Sequence, residues 1–155
     1  MSANLNVNGE FRASRSDPMT PLIDVLREEF YLTGAKPVCR EGFCGACSVL
    51  IDDVAMPSCL IACGAAEGRR IVTIEGLAPT GELTPLQASF EAFDAVQCGM
   101  CFPGMVVSLT SYFEQAENPN RDDMKAALVG NVCRCTGYER ILDAALSLVQ
   151  PSETR

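Results

Sequence analysis

The chain has 155 residues, 48% of them hydrophobic, a net charge of −8 and no histidine. Such apolar content supports a packed core in one domain or two small ones, while the acidity argues against nucleic acid or an anionic membrane as partner. The missing imidazole removes Ser-His-Asp and Cys-His catalysis, histidine-ligated zinc and Rieske clusters.

In chain order, Leu5 and Val7 alternate with polar neighbours, and Asn8-Gly9 supplies a two-residue hairpin turn before Phe11. Thr20-Pro21 reads as an N-cap with proline at the first helical position. Leu22, Val25, Leu26 and Phe30 then predict an amphipathic helix over 20–32, closed by Gly34. A cysteine loop at 38–47 leads into a buried strand, Ser48-Val49-Leu50-Ile51. Asp52-Asp53 turns into a short strand, Val54-Ala55-Met56, and Pro57-Ser58 opens a short helix ending near Gly64 or Gly68. Ile71-Val72-Thr73-Ile74 reads as a last strand. This succession has the order of a β-grasp ferredoxin.

Residues 76–83 read as a linker, after which the character of the chain changes. Helices are expected from Thr84-Pro85 to about Phe93, from Pro103 to a break at Asn118-Pro119-Asn120, over 121–129, and over 138–149. Four short helices with tight connections predict a small bundle. The expected fold class is α+β, with an N-terminal β-grasp domain over 1–78 and an all-α four-helix domain over 79–155.

Eight of the nine cysteines fall into two quartets. Cys39, Cys44, Cys47 and Cys59 follow C-x4-C-x2-C with a fourth member further on, the ligand pattern of a plant-type [2Fe–2S] cluster. Cys98 and Cys101 form a C-x2-C, and Cys133 and Cys135 a C-x-C. No run of about 20 apolar residues is available to span a bilayer. The N-terminus lacks the apolar stretch of a secretory signal, so a cytoplasmic protein using its cysteines for metal rather than disulfides is expected. Gly42, Gly45 and Ala46 let the first loop curl so that backbone N–H groups face sulfur. The second quartet sits just before two expected helix starts, where free N–H groups favour negative charge. A thiolate zinc site could use the same residue type, but C-x4-C-x2-C and C-x-C suit paired zinc knuckles poorly. Cys63, four residues after Cys59 on the expected short helix, is read as a small buried apolar residue rather than a ligand.

Four stretches together resemble a known family: Cys39-Arg-Glu-Gly-Phe-Cys-Gly-Ala-Cys47, Pro57-Ser-Cys-Leu60, Gln97-Cys-Gly-Met-Cys101 with Pro103-Gly104, and Gly130-Asn-Val-Cys-Arg-Cys-Thr-Gly-Tyr138. They are similar to the iron–sulfur subunit of the molybdenum hydroxylases, the xanthine dehydrogenase/aldehyde oxidase family, over about residues 4–149. The resemblance implies a plant-ferredoxin-like domain and a four-helix domain, each holding one [2Fe–2S] cluster. It implies electron transfer from a molybdopterin (Mo) centre on a large subunit to FAD on a medium subunit, or alternatively to a cytochrome. The cluster of Cys98, Cys101, Cys133 and Cys135 would lie nearer molybdenum, with Gln97 and Cys135 within hydrogen-bonding reach of the pterin. The cluster of Cys39, Cys44, Cys47 and Cys59 would lie on the flavin side. The substrate site would lie on another subunit, for an N-heteroaromatic, an aldehyde or a similar compound. Pro37-Val38, Met100 and Phe102 depart from the family pattern and leave all eight ligands intact. The competing readings are a free-standing two-cluster ferredoxin and a zinc–thiolate interaction module.

Overall fold

A computed structural model describes residues 3–149, so the outer limits expected for the two domains, 1 and 155, lie outside the described residues. The fold is mixed α/β, with a five-stranded sheet followed by helices. Strand β1 (Asn4–Val7) pairs antiparallel with β2 (Glu10–Ala13) through the Asn8-Gly9 turn. Both turn residues are left-handed, φ 53° and 83°, as a tight hairpin with native strand twist demands. β3 (Ser48–Ile51) and β4 (Val54–Pro57) form a second hairpin on Asp52-Asp53, at φ 50° and 70°. β5 (Arg70–Val72) lies between the hairpins, parallel to β1 and antiparallel to β3, giving the order β2-β1-β5-β3-β4. It begins one residue before the expected strand and ends two before its expected close, because Ile74 turns into a 3-10 segment, Ile74–Gly76.

Helix α1 runs over Leu22–Asp24 and then widens to i→i+5 bonding over Val25–Glu29. Pro21, rather than Thr20, occupies the cap, and its strand-like bridge to Ala62 fixes where the helix begins. The helix closes before Gly34: Phe30 N–H reaches Val25 O at 3.2 Å and Tyr31 turns left-handed at φ 58°. Arg27 then holds the following loop through Thr33 and Ala35 carbonyls at 2.5 and 2.8 Å. Gly34 serves close packing instead, since a Cβ there would fall onto Ile74 and Glu75.

The single short helix expected after Pro57 is two 3-10 turns, Ser58–Leu60 and Cys63–Ala66. Ile61 and Ala62 between them are extended, because Ile61 O accepts Leu22 N–H at 2.7 Å and Ala62 bridges Pro21. Tertiary pairing here overrides a local helical preference.

The later helices are α2 (Pro85–Ala92), α3 (Phe102–Gln115), α4 (Arg121–Ala127) and α5 (Glu139–Leu146). Thr84 caps α2 in a reciprocal box with Gln87, and the Asn120 side chain caps α4 by accepting from Asp122 and Asp123. Leu5, Val7, Leu22, Leu26, Val49 and Ile71 belong to one buried apolar cluster. Leu86, Phe90, Met105, Leu109, Ile141 and Leu142 belong to a second.

Helix α3 joins the two. Ser111 Oγ donates to Asp53 O at 2.9 Å and accepts Ala55 N–H at 3.2 Å, anchoring the helix on the β3–β4 hairpin. Near its start, Gly104 lies so close to the chain at Gly45 that a Cβ would land on the Gly45 carbonyl oxygen. Replacing glycine by alanine inside a helix ordinarily stabilises by about 1 kcal/mol. Gly104→Ala should reverse that sign, lowering the unfolding free energy of the loaded protein by about 1–3 kcal/mol in a denaturant titration, because a backbone carbonyl cannot yield as a side chain can.

Candidate metal centres

The first cysteine loop is shaped by three left-handed residues, Arg40, Gly42 and Gly45, at φ 57°, 81° and 68°. A Cβ at Gly45 would strike Gly130 O and Asn131, whereas one at Gly42 would meet only the exposed Leu60 side chain, and there it is the left-handed backbone that favours glycine. The curl aims N–H groups inward. Glu41 N–H reaches Cys39 Sγ at 3.4 Å, and the N–H groups of Cys44 and Phe43 also face that sulfur. Arg40 ties the loop to α1 through Asp24 at 3.0 Å, and Lys36 N–H ties its other end to Ala46 O at 2.9 Å. Cys59 is brought in by Ser58, fully buried, whose hydroxyl donates to Cys47 O at 2.6 Å.

The second set assembles from two chain segments. Cys101 is the N-cap residue of α3, and Cys133 and Cys135 precede α5. Tyr138, left-handed at φ 69°, folds its side chain back over the loop. Its Oη accepts Cys133 N–H at 2.8 Å and donates to Asn131 O at 2.9 Å.

The thiols influence one another's acidity in twos: Cys39 is shifted by Cys44, Cys47 by Cys59, Cys101 by Cys133 and Cys135 by Cys98, each pair lying within one quartet. Within each quartet the pairs also feel one another: Cys47 senses Cys44, and Cys101 senses Cys98. Among the described residues, no three His, Cys, Asp or Glu side chains form a ready site for a single ion. A binuclear cluster places two thiolates on each iron, so two pairs per quartet are the donor set it requires. The residues fit that group.

The two loops touch. Val132 N–H, one residue before Cys133, donates to the carbonyl of Cys44 at 2.9 Å. A cysteine of one quartet is thus one hydrogen bond from the neighbour of a cysteine of the other.

Thiol acidity differs sharply along each set. The Glu41 N–H leads in bringing Cys39 down to about 6, with the Cys44 thiol and the N–H groups of Cys44 and Phe43 assisting. Burial, with neighbouring thiols assisting, pushes Cys47 up to about 11 and Cys101 up to about 12. Burial is also the largest single influence on Cys133, but the Thr136 hydroxyl and the N–H groups of Cys135 and Thr136 together outweigh it, so this thiol ends below its usual value. Cys135 is raised, first by its hydrogen bond with Cys98.

Cys63 stands apart, fully buried in the sheet's core with its thiol against the carbonyls of Asp17 and Pro18 at 3.4 and 3.6 Å. Cys59 and Cys63 do not share a helix, so the spacing that made Cys63 a conceivable ligand does not operate. Gln97 and Cys135 are both exposed, and Gln97 adjoins Cys98, the thiol partner of Cys135. Thr136, Tyr138 and Asn131 support the second set, yet sequence reasoning assigned them no role. The Thr-Gly-Tyr run after the C-x-C was the available signal.

These features define an iron–sulfur protein, and comparison with known proteins agrees. A family profile described as "[2Fe-2S] binding domain" matches residues 73–146. The nicotinate dehydrogenase small FeS subunit of Eubacterium barkeri is 40% identical over 91% of this chain and 90% of its own length. The xanthine dehydrogenase iron-sulfur-binding subunit of Escherichia coli O157:H7 is also 40% identical, over 90% of this chain and 89% of its own. The crystal structure of quinoline 2-oxidoreductase from Pseudomonas putida 86 superposes with a TM-score of 0.91 at 42% identity, covering 97% of this chain and 91% of that one. The chain belongs to the iron–sulfur small subunits of the molybdenum hydroxylase (xanthine dehydrogenase/aldehyde oxidase) family. Its relatives are iron–sulfur subunits of oxidoreductase complexes. Among the described residues no helix is long and apolar enough to cross a membrane.

In metal-free protein, thiolate is what an alkylating reagent captures. Cys39 should therefore react first with iodoacetamide at pH 7, its rate rising through about pH 6 and then levelling. Cys47 and Cys101, which keep their protons to about 11 and 12, should stay unmodified, as mass mapping would reveal. In holo-protein, Cys63→Ala should retain the full iron content, whereas Cys59→Ala should halve it.

Proposed function

We propose that this chain is the electron-relay subunit of a multi-subunit molybdenum hydroxylase. It would take electrons from a molybdopterin centre on a large subunit and pass them through two [2Fe–2S] clusters to FAD on a medium subunit. Each cluster, when bound, supplies a site that accepts and releases one electron. The protein's part is ligation, hydrogen bonding to sulfur and burial.

In this reading Cys39 with Cys44 and Cys47 with Cys59 each hold one iron of the first cluster. Cys98 with Cys135 and Cys101 with Cys133 do the same for the second. The observation that carries it is the gathering of eight thiols into two quartets, one of which is joined to the other by the Val132–Cys44 hydrogen bond. That bond offers a short route between the two metal sites.

The finer fold reading is a plant-ferredoxin-like β-grasp domain over 1–78 and a four-helix bundle domain over 79–155. The strand order with β1 parallel to β5, and the separation of the two apolar clusters, support it. Gln97 and Cys135 would contact the pterin of the large subunit. Their shared exposure, with Val96 and Met100 also exposed beside Cys98, favours a partner covering this rim. Val38, Phe43 and Leu60 form a comparable exposed apolar fringe at the first quartet, where the flavin subunit would dock. Exposed apolar rims at both sites suit a subunit better than a free shuttle. All nine cysteines are free, in keeping with a cytoplasmic setting that keeps thiols reduced.

The relatives are named for nicotinate, xanthine and quinoline, all nitrogen heteroaromatics. The substrate class proposed for the complex is therefore an N-heteroaromatic compound, bound on the large subunit. Isolating the complex from its source and measuring metals, flavin and subunits checks the whole assignment. The expected result is molybdenum, FAD and about four irons per copy of this chain, with separate EPR signals from two clusters on reduction. Finding neither molybdenum nor a large partner would contradict it.

A further inference from the structure

The hydroxyl of Thr136 stands 3.1 Å from Cys133 Sγ. Among the described residues, none of the other seven cysteines of the two quartets has a side-chain hydroxyl hydrogen-bonded to its sulfur. The orientation of this one is set by its own surroundings. Thr136 Oγ1 accepts the Tyr138 N–H at 3.2 Å, which occupies a lone pair and leaves the hydroxyl proton for sulfur.

The backbone N–H of Cys133 does not compete for that sulfur, because Tyr138 Oη captures it at 2.8 Å. Tyr138 Oη in turn sends its proton to Asn131 O at 2.9 Å, so the capture is locked. Two left-handed residues, Gly137 at φ 64° and Tyr138 at φ 69°, bend the chain back to make both contacts. A left-handed tyrosine is strained, and here its side chain and its N–H both serve the loop carrying Cys133.

Resting on the reading that the second quartet holds a [2Fe–2S] cluster, we infer that Thr136 is a positioning residue whose O–H···S bond to Cys133 sets the reduction potential of that cluster. Reduction takes the diferric cluster to one ferric and one ferrous iron by gain of one electron, supplied physiologically by the molybdenum centre and experimentally by dithionite. The hydroxyl proton stays on oxygen throughout. Added negative charge spreads onto the thiolates, so a donor at Cys133 stabilises the reduced form more than the oxidised form. Deleting the donor lowers the potential. Among the described residues no hydroxyl donates to a sulfur of the first quartet, and the potential of the first cluster is independent of Thr136.

The experiment is an EPR-monitored redox titration of the holo-complex carrying Thr136→Val, Thr136→Ala or Thr136→Ser. The signal lost on Cys98→Ala identifies the second cluster. Thr136→Val and Thr136→Ala should each weaken that cluster's electron affinity roughly tenfold, a fall of about 59 mV for a one-electron couple. The first cluster should not move, and Thr136→Ser should restore the wild-type value. An unshifted second cluster in the hydroxyl-free variants overturns the inference, as does an equal shift of both clusters. Loss of the second cluster from both Val and Ala variants overturns it too, by assigning Thr136 to assembly instead. A second signal missing from the wild type would refute the underlying cluster reading instead, so the two failures are distinguishable.

Discussion

The closest constraint in this protein is the contact between its two cysteine loops. Gly45 sits beside Cys44, the second cysteine of the first quartet, and around it there is room for no side chain. Gly130 and Asn131 press from one side and Gly104 of α3 from another. That closeness lets Val132 N–H reach the Cys44 carbonyl, and it forces the helical part against the sheet at a fixed separation. Ser111, gripping the β3–β4 turn two helical turns further along α3, secures the same approach from its far end. Outer-sphere electron transfer depends on distance, and the approach of these two loops is set by backbone rather than by flexible side chains.

A chain that carries −8 must still gather four thiolates at each of two places. The first loop manages this with N–H groups curled around sulfur, so that Cys39 ionises readily while Cys47, deeper in, is held protonated by burial. The second set relies on a helix start at Cys101 and on the Thr136–Tyr138 clamp around Cys133. The first set is largely buried, whereas Cys98 and Cys135 of the second are exposed. Such differences in burial and donor placement are the means by which a protein makes two identical clusters unequal in potential.

Much of this was legible locally. Asn8-Gly9 and Asp52-Asp53 specify their hairpins because tight turns accept few residues. Thr84-Pro85 marks α2, and the C-x4-C-x2-C spacing singles out the first quartet. What was misread depends on partners distant in sequence. Apolar spacing in 22–30 does not distinguish a regular helix from one that widens after Asp24 to deliver Arg27 to Thr33 and Ala35. Residues 57–68 lose a continuous helix because Ile61 and Ala62 are recruited by Leu22 and Pro21. Thiol pairing between Cys101 and Cys133, and the closure of Tyr138 onto Asn131, require the helices to be placed first.

Two clusters held side by side by touching loops would lie close enough for their unpaired spins to interact. Low-temperature EPR of the fully reduced holo-protein would reveal this, since neighbouring paramagnetic centres split each other's lines. Two signals with resolved magnetic interaction are expected, and an unsplit remaining signal when Cys133→Ala removes one centre. Two signals with no mutual splitting, or a single centre in fully metallated protein, would contradict that arrangement.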